Sequence, residues 1–300
     1  MKTPNLNFNP TVIRRLRQAL REDIGKGDIT TNLIVPPDFK IKANLMTRET
    51  CMISGLILLP FIYRVLDRQV KVILLKQEGE VAKAGETVAK ISGPARVVLT
   101  GERVGINFVS RLSGIATLTH EFVRRIKPYH VQLLATRKTT PLLRDFEKYA
   151  VQCGGGHAHR HGLYDQYLVK DNHKEVLRAM GYRYSRHSAQ RMRDKRKKNI
   201  PFIIEVDKIR EIPWAMSFRP DMILLDNFTL RDLKKAVQFV RELSKEHGVP
   251  KPLLEASGGI TLVNVREIAK AGVDRISVGE ITHSVRSIDF SLEVTVDARR

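Results

Sequence analysis

Acidic residues are scarce in this chain: 32 Asp and Glu stand against 52 Lys and Arg in 300 residues, a formal charge of +20 with histidine neutral. That field draws polyanions, and nucleic acid, acidic lipid and phosphorylated small molecules all qualify. Cysteine is scarcer still. Cys51 and Cys153 form no CxxC pair and no zinc-ligand spacing, which argues against a disulfide framework and for a reduced, cytosolic setting. Long apolar runs are missing. The greasiest stretch, residues 51–63, contains Pro60 and is followed by Arg64, short of the roughly 20 apolar residues of a membrane span. It reads as a buried helix. Residues 1–10 carry Asn and Pro where a secretory leader needs an apolar run. The expected location is cytoplasmic, with no membrane association.

The hydrophobic fraction of 42% and charged fraction of 28% are those of a globular protein, and the length suits two domains or one large α/β barrel. Apolar residues at 12, 13, 16 and 20 have helical spacing, and Gly25 and Gly27 break it. Residues 40–100 read as short strands and turns: 70–75 and 88–91 are strand-like, and 96–99 are read as continuing the sheet. Most of 95–119 has a helical pattern. Residues 1–115 are taken as one domain.

From residue 131 the rhythm changes. VQLLA (131–135) precedes a helical 140–152, and QYLVK (166–170) precedes a helix near His173. PFIIEV (201–206), DMILLD (221–226), PLLEA (252–256) and DRISV (274–278) each precede another helical pattern. Apolar strands alternating with amphipathic helices indicate a parallel sheet. Six units in so short a span favour a barrel over a doubly wound sheet.

Nearly every one of these strands ends in reactive chemistry. Arg137 and Lys138 follow the first, Lys170 and Asp171 end the second, and Glu205 and Asp207 end the third. Asp226 and Asn227 end the fourth; Ser257, Gly258 and Gly259 follow the fifth; Gly279 and Glu280 follow the sixth. Barrel active sites lie at the carboxyl ends of the strands. The glycines after the last two strands suit phosphate bound by backbone N–H groups, with a helix expected near Thr261. Glu205 and Asp226 suit Mg²⁺ or ribose hydroxyls; an ion pair with neighbouring cations is the simpler alternative. Between Thr136 and His173 the cations Arg137, Lys138, Arg144, Lys148, Arg160 and Lys170 surround Gly154, Gly155 and Gly156. That loop suits a closely approached anion, with Arg137 and Arg160 able to grip carboxylates bidentately. His157, His159 and His161 leave a metal site as a lesser alternative.

Several long strings resemble the quinolinate phosphoribosyltransferase family. They are REDIGKGDITT (21–31), LTGERVGINFVSRLSGIATLT (99–119), ATRKTTPLLRDFEKYAV (135–151), CGGGHAHRHGLYDQYLVKDNH (153–173), IIEVD (203–207), MILLDNF (222–228), LEASGGI (254–260) and DRISVGEITHS (274–284). The resemblance implies an α/β fold of the type II phosphoribosyltransferase kind. An N-terminal α/β sandwich domain (1–115) precedes an α/β barrel with an incomplete strand count (116–281), and 282–300 pack back on the first domain. It implies transfer of a phosphoribosyl group from phosphoribosyl pyrophosphate to quinolinate with decarboxylation, Mg²⁺ as cofactor, and a homodimer with shared sites. Arg103, Arg137, Lys138, His159, Arg160 and Lys170 match the dicarboxylate binders. Glu205, Asp226, Ser257, Gly258, Gly259 and Gly279 match the groups around phosphoribosyl pyrophosphate and its metal, with Lys138 also nearby. Lys138, Lys170, Glu205 and Asp226 are the implied catalytic set. Departures are small: Val104 and Ala158 stand where Thr and Asn are common.

Two alternatives have their own features. A paralogue with another acceptor would share the fold, but losing the second carboxylate would relax the cation set. A nucleic-acid-binding protein is suggested by the eight basic residues in 183–198, opposed by Asp194 alone; that stretch has no aromatic after Tyr184.

Overall fold

The structure, a computed structural model, describes residues 6–181, 194–197 and 199–295. In chain order its strands are β1 (Lys40–Thr47), β2 (Cys51–Met52), β3 (Lys71–Leu74), β4 (Val81–Ala82), β5 (Thr87–Pro94), β6 (Gln132–Ala135), β7 (Tyr167–Val169), β8 (Phe202–Val206), β9 (Met222–Asp226), β10 (Leu253–Ser257), β11 (Arg275–Val278) and β12 (Phe290–Thr295). Two compact units divide the chain: Met1–His120, Thr139–Gly156 and Ile281–Arg300 form one, and Glu121–Lys138 with His157–Glu280 the other.

The first unit holds an antiparallel sheet in the order β12-β1-β5-β3. In β1, Ile41, Ala43 and Leu45 are buried and Lys40 and Lys42 are exposed, the period-2 pattern of a sheet with one covered face. The helix Pro10–Ile24 begins where the Asn9 side chain accepts the N–H groups of Thr11 and Val12. It buries Val12, Leu16 and Leu20, and ends at Gly25, whose φ is 54°.

Three expectations are corrected here. Residues 51–63 are not one helix. They form β2, a turn at Gly55 with φ 95°, a single 3₁₀ turn and the start of the helix Leu59–Leu66. Pro60 lies in that helix's first turn, where its missing N–H costs nothing. Residues 96–99 do not continue the sheet; they open the helix Ala95–Ile126, immediately after Pro94. Ala95 and Val98, one helical turn apart, pack with Ile91 and Tyr63, and this burial overrides the strand propensity of the two valines. The helix expected over 140–152 runs instead over Arg144–Cys153, because Leu142 has φ 67° directly after Pro141.

That helix is fastened inside the first unit by buried charge. Glu147 is fully buried, and its carboxylate accepts from the Arg111 guanidinium at 2.9 Å, the Thr140 hydroxyl at 2.8 Å and the Thr140 N–H at 3.1 Å. Arg111 also donates to the carbonyl of Val285 at 3.1 Å. Glu78, also buried, accepts the N–H groups of Gly55 and Ile57 at 2.7 and 3.0 Å. The Cys153 thiol donates to it at 3.7 Å. Burial raises the Cys153 pKa to about 12, so this thiol is inert at neutral pH. Both cysteines are free and buried.

The second unit holds six parallel strands in the order β6-β11-β10-β9-β8-β7. Consecutive strands β7 to β11 are neighbours, and β6 returns beside β11. The sheet therefore runs in the cyclic order of a barrel, six strands long, with β6 and β7 unpaired to each other. A doubly wound sheet would not have this order. A single parallel bridge between Leu134 and His157 extends the wall beyond β6. Among the described residues, no helix is long and apolar enough to cross a membrane. Of the basic stretch 183–198, only Asp194, Lys195, Arg196 and Lys197 are described. Arg196 there pairs with Asp221 at 3.1 Å and lies 5.3 Å over the Phe202 ring.

Candidate active site

Register puts carboxyl-end residues of β7, β8, β9 and β10 on one face. In the parallel ladder Glu205 and Glu255 both stand opposite Leu224, and Ser257 stands opposite Asp226. Paired residues in a sheet project to the same side, so Glu205, Asp226, Glu255 and Ser257 share a face. Leu168 pairs with Ile203, and two residues further Lys170 comes level with Glu205. The contact is direct: Lys170 Nζ lies 2.7 Å from Glu205 Oε2. The Asp171 N–H reaches the other oxygen at 3.4 Å. Leu224 lies level with Glu205 and Glu255, and one layer below it Ile203, Met222 and Leu168 close the interior with apolar packing.

One oxygen each from Glu205, Asp207 and Asp226 lie within 4.8 Å of one another, the arrangement of hard donors that a divalent cation requires. Among the described residues no other cluster of this kind occurs, so His157, His159 and His161 do not form a metal set. Asp207 follows the strand period, two residues after Glu205, and is legible in the sequence only as a charged strand end. Its carboxylate accepts from Lys174 at 3.0 Å, and Lys174 also holds Glu211 at 2.9 Å. Burial alone would lower the Lys174 pKa; Glu211 and Asp207 outweigh it, so the ammonium is held above its usual range.

The glycine loop after β10 is built around Asn227. That residue takes φ 55°, donates its N–H to Ser257 O at 2.9 Å, and donates from its amide to Asp226 at 2.7 Å. Gly258 has φ 88°, and a Cβ there would stand 2.1 Å from Asn227 Oδ1, so only glycine fits. Gly259 has φ 59° and open space where its Cβ would be. Asn264 ties the loop down, accepting from the Thr261 N–H and donating to Gly259 O, both at 2.9 Å. The following helix starts at Val265, not near Thr261 as expected, because residues 262–264 are turn.

The cations fall into two groups. Arg160 is buried, its Nε has no hydrogen-bond acceptor among the described residues, and Arg137 stands near enough to repel it. Burial first, and the Arg137 charge second, lower the Arg160 pKa. Asp165 steadies this loop by accepting the N–H groups of His161 and Gly162 at 2.7 and 3.3 Å. His159 Nε2 lies 3.4 Å from the fully buried Glu255. Lys138 is exposed, its N–H tied to the Thr136 hydroxyl at 3.0 Å. Arg103 belongs to the other unit. It is exposed on the long helix, with no ion pair among the described residues.

Two of the three glycines in the run are set by packing. A Cβ at Gly154 would come within 2.4 Å of Ala116 O, and one at Gly156 within 2.9 Å of Thr119. Close packing inside the first unit accounts for both.

Family models of quinolinate phosphoribosyl transferase match the chain over nearly its whole length, the N-terminal domain at residues 28–113 and the C-terminal domain at residues 115–293. The chain belongs to this family. It is 37% identical to a probable nicotinate-nucleotide pyrophosphorylase [carboxylating] of Methanocaldococcus jannaschii, over 94% of this chain and 96% of that one. The nicotinate-nucleotide pyrophosphorylase structure from Francisella tularensis superposes with a TM-score of 0.83 at 36% identity, covering 98% of this chain and 100% of its own. NadC from Streptococcus pyogenes gives a TM-score of 0.87 at 31% identity, covering 97% and 99%. The expected fold, a small sandwich domain followed by a barrel of incomplete strand count, is the one observed.

Proposed function

We propose that this chain is a quinolinate phosphoribosyltransferase (decarboxylating): it joins quinolinate to the phosphoribosyl group of phosphoribosyl pyrophosphate. The products are nicotinate mononucleotide, pyrophosphate and CO₂, a step of pyridine nucleotide synthesis. The observation that carries the reading is Arg160, a buried guanidinium lacking an acceptor at Nε and crowded by Arg137. A buried guanidinium held beside a second, exposed cation is costly, and a dianion bound between them offsets the cost. Quinolinate carries two adjacent carboxylates. Arg137, Lys138, His159, Arg160 and Lys170 hold them, and Arg103 reaches them from a second copy of the chain in a homodimer.

The backbone of Ser257, Gly258, Gly259 and Gly279 takes the phosphates of the co-substrate, and Asp226 and Glu205 take its ribose hydroxyls. Glu205, Asp207 and Asp226 fit a Mg²⁺ ion, which when bound neutralises charge on the departing pyrophosphate. With both substrates oriented, the ring nitrogen attacks C1 of the ribose and the C1–O bond to pyrophosphate breaks. The nitrogen becomes a pyridinium. The bond from the adjacent ring carbon to its carboxylate then breaks, CO₂ leaves, and the electron pair stays beside the positive nitrogen until a proton replaces it. The substrate is its own electron sink, so the chain needs to supply orientation and charge matching. The test is stoichiometry: with quinolinate labelled at its 2-carboxylate, one labelled CO₂ should be released for each pyrophosphate. Pyrophosphate release without CO₂ would contradict the reading.

A further inference from the structure

Glu255 is a buried acid that the reaction just described does not use. It sits in the middle of β10 between Leu254 and Ala256 and is fully buried. Neither of its carboxylate oxygens has a hydrogen-bond donor among the described residues. A carboxylate removed from water without donors is among the most costly groups a fold can retain. Glu255 shares its face with Asp226, Glu205 and Ser257, so it points into the same polar interior as the candidate site. Its one ion-pair contact among the described residues is His159 Nε2, at 3.4 Å from Oε2, and the His159 side chain is itself only 8% exposed. Arg160, next in the chain, is the buried guanidinium described above.

We propose that Glu255 is a positioning residue for the acceptor pocket: it fixes the His159 imidazole through Nε2, so that the ring and the adjacent Arg160 present a preset surface to the pyridine dicarboxylate. The separation is longer than a formed hydrogen bond. A small rotation of the imidazole closes it, and substrate binding supplies the reason to do so, since catalytic hydrogen bonds often tighten only in the complex. The role deepens the reading of His159 as an acceptor-binding residue, and rests on it. Glu255 itself touches no substrate.

The test is steady-state kinetics on the full-length protein with quinolinate and phosphoribosyl pyrophosphate varied separately. Glu255→Gln keeps the shape and removes the charge. It should raise KM for quinolinate about tenfold, the loss of one charge-assisted contact. KM for phosphoribosyl pyrophosphate should stay within about twofold. In the His159→Ala background the same change should add less than about twofold, because a positioning residue has nothing left to position. Should Glu255→Gln not fold, Glu255→Asp withdraws the carboxylate while keeping its charge, and the same selective rise in KM is expected. Equal rises in both KM values, or a full additional loss in the His159→Ala background, would overturn the proposal. If His159→Ala leaves KM for quinolinate unchanged, the reading of His159 fails and the proposal falls with it. If His159→Ala is defective and Glu255→Gln is normal, only the proposal fails.

Discussion

Lys170 Nζ and Glu205 Oε2 meet at 2.7 Å across β7 and β8, a 45% exposed side chain closing over one that is 4% exposed. Family resemblance assigns the lysine to the dicarboxylate and the glutamate to the ribose and metal. The pair therefore joins the two halves of the proposed site. Glu205→Ala should lower kcat/KM by about 2–4 kcal/mol in activation free energy, as other lost transition-state stabilisers do. The lysine it leaves behind is wet, so the melting temperature should barely move. Normal kinetics with a collapsed melting temperature would make Glu205 structural.

The family resemblance does not place Asp207 at the metal, yet its oxygen joins those of Glu205 and Asp226. Chelation of Mg²⁺ should abolish turnover, and Asp207→Asn should raise the Mg²⁺ concentration needed for half-maximal rate by about tenfold. Titration of activity with MgCl₂ in both proteins checks this; identical curves would remove Asp207 from the site.

Burial raises the Glu78 carboxyl above its usual 4.5, against the pull of the Gly55 and Ile57 N–H groups. The folded state therefore holds this proton more tightly than the unfolded one. The stability contributed is fully present below 4.5 and is lost as pH rises through the raised folded value. Glu78→Gln removes this dependence. The wild type should lose stability relative to the variant across this window, by about 1.4 kcal/mol per pH unit. Urea unfolding at a series of pH values measures it; parallel curves would show that Glu78 does not titrate this way.

Much of the barrel is legible in the sequence because its strands are short apolar runs, each ending in charge, and period 2 then decides which residues share a face. Lys170, Glu205, Asp226 and Ser257 stand out for that reason. Glu255 obeys the same period, two residues before Ser257, but reads as one polar letter in an apolar strand until its burial is seen. The helix start at Arg144 and the packing role of Gly154 are hidden for another reason. Leu142 adopts a left-handed backbone that its side chain disfavours, and Gly154 is constrained by Ala116 and Thr119, nearly forty residues away. Local propensity carries neither fact.

Arg103 lies exposed on the long helix without an ion pair among the described residues. If it serves the site of a second copy, Arg103→Ala and Lys138→Ala homodimers should each be nearly inactive. Mixed under subunit exchange, they should recover about a quarter of wild-type activity, since half the dimers are mixed and half their sites intact. Verified exchange without recovery would place Arg103 outside the shared site.

The central claim is that the acceptor is a pyridine dicarboxylate. Purified protein with Mg²⁺ and phosphoribosyl pyrophosphate should be given quinolinate or nicotinate at equal concentration, and nicotinate mononucleotide measured in each. Product from quinolinate, with nicotinate turned over at least about a hundredfold more slowly, is the expected result, because a site whose cations, the buried Arg160 among them, are set for two carboxylates loses a charge-assisted contact when one is missing. Comparable rates with the two acceptors would contradict the account.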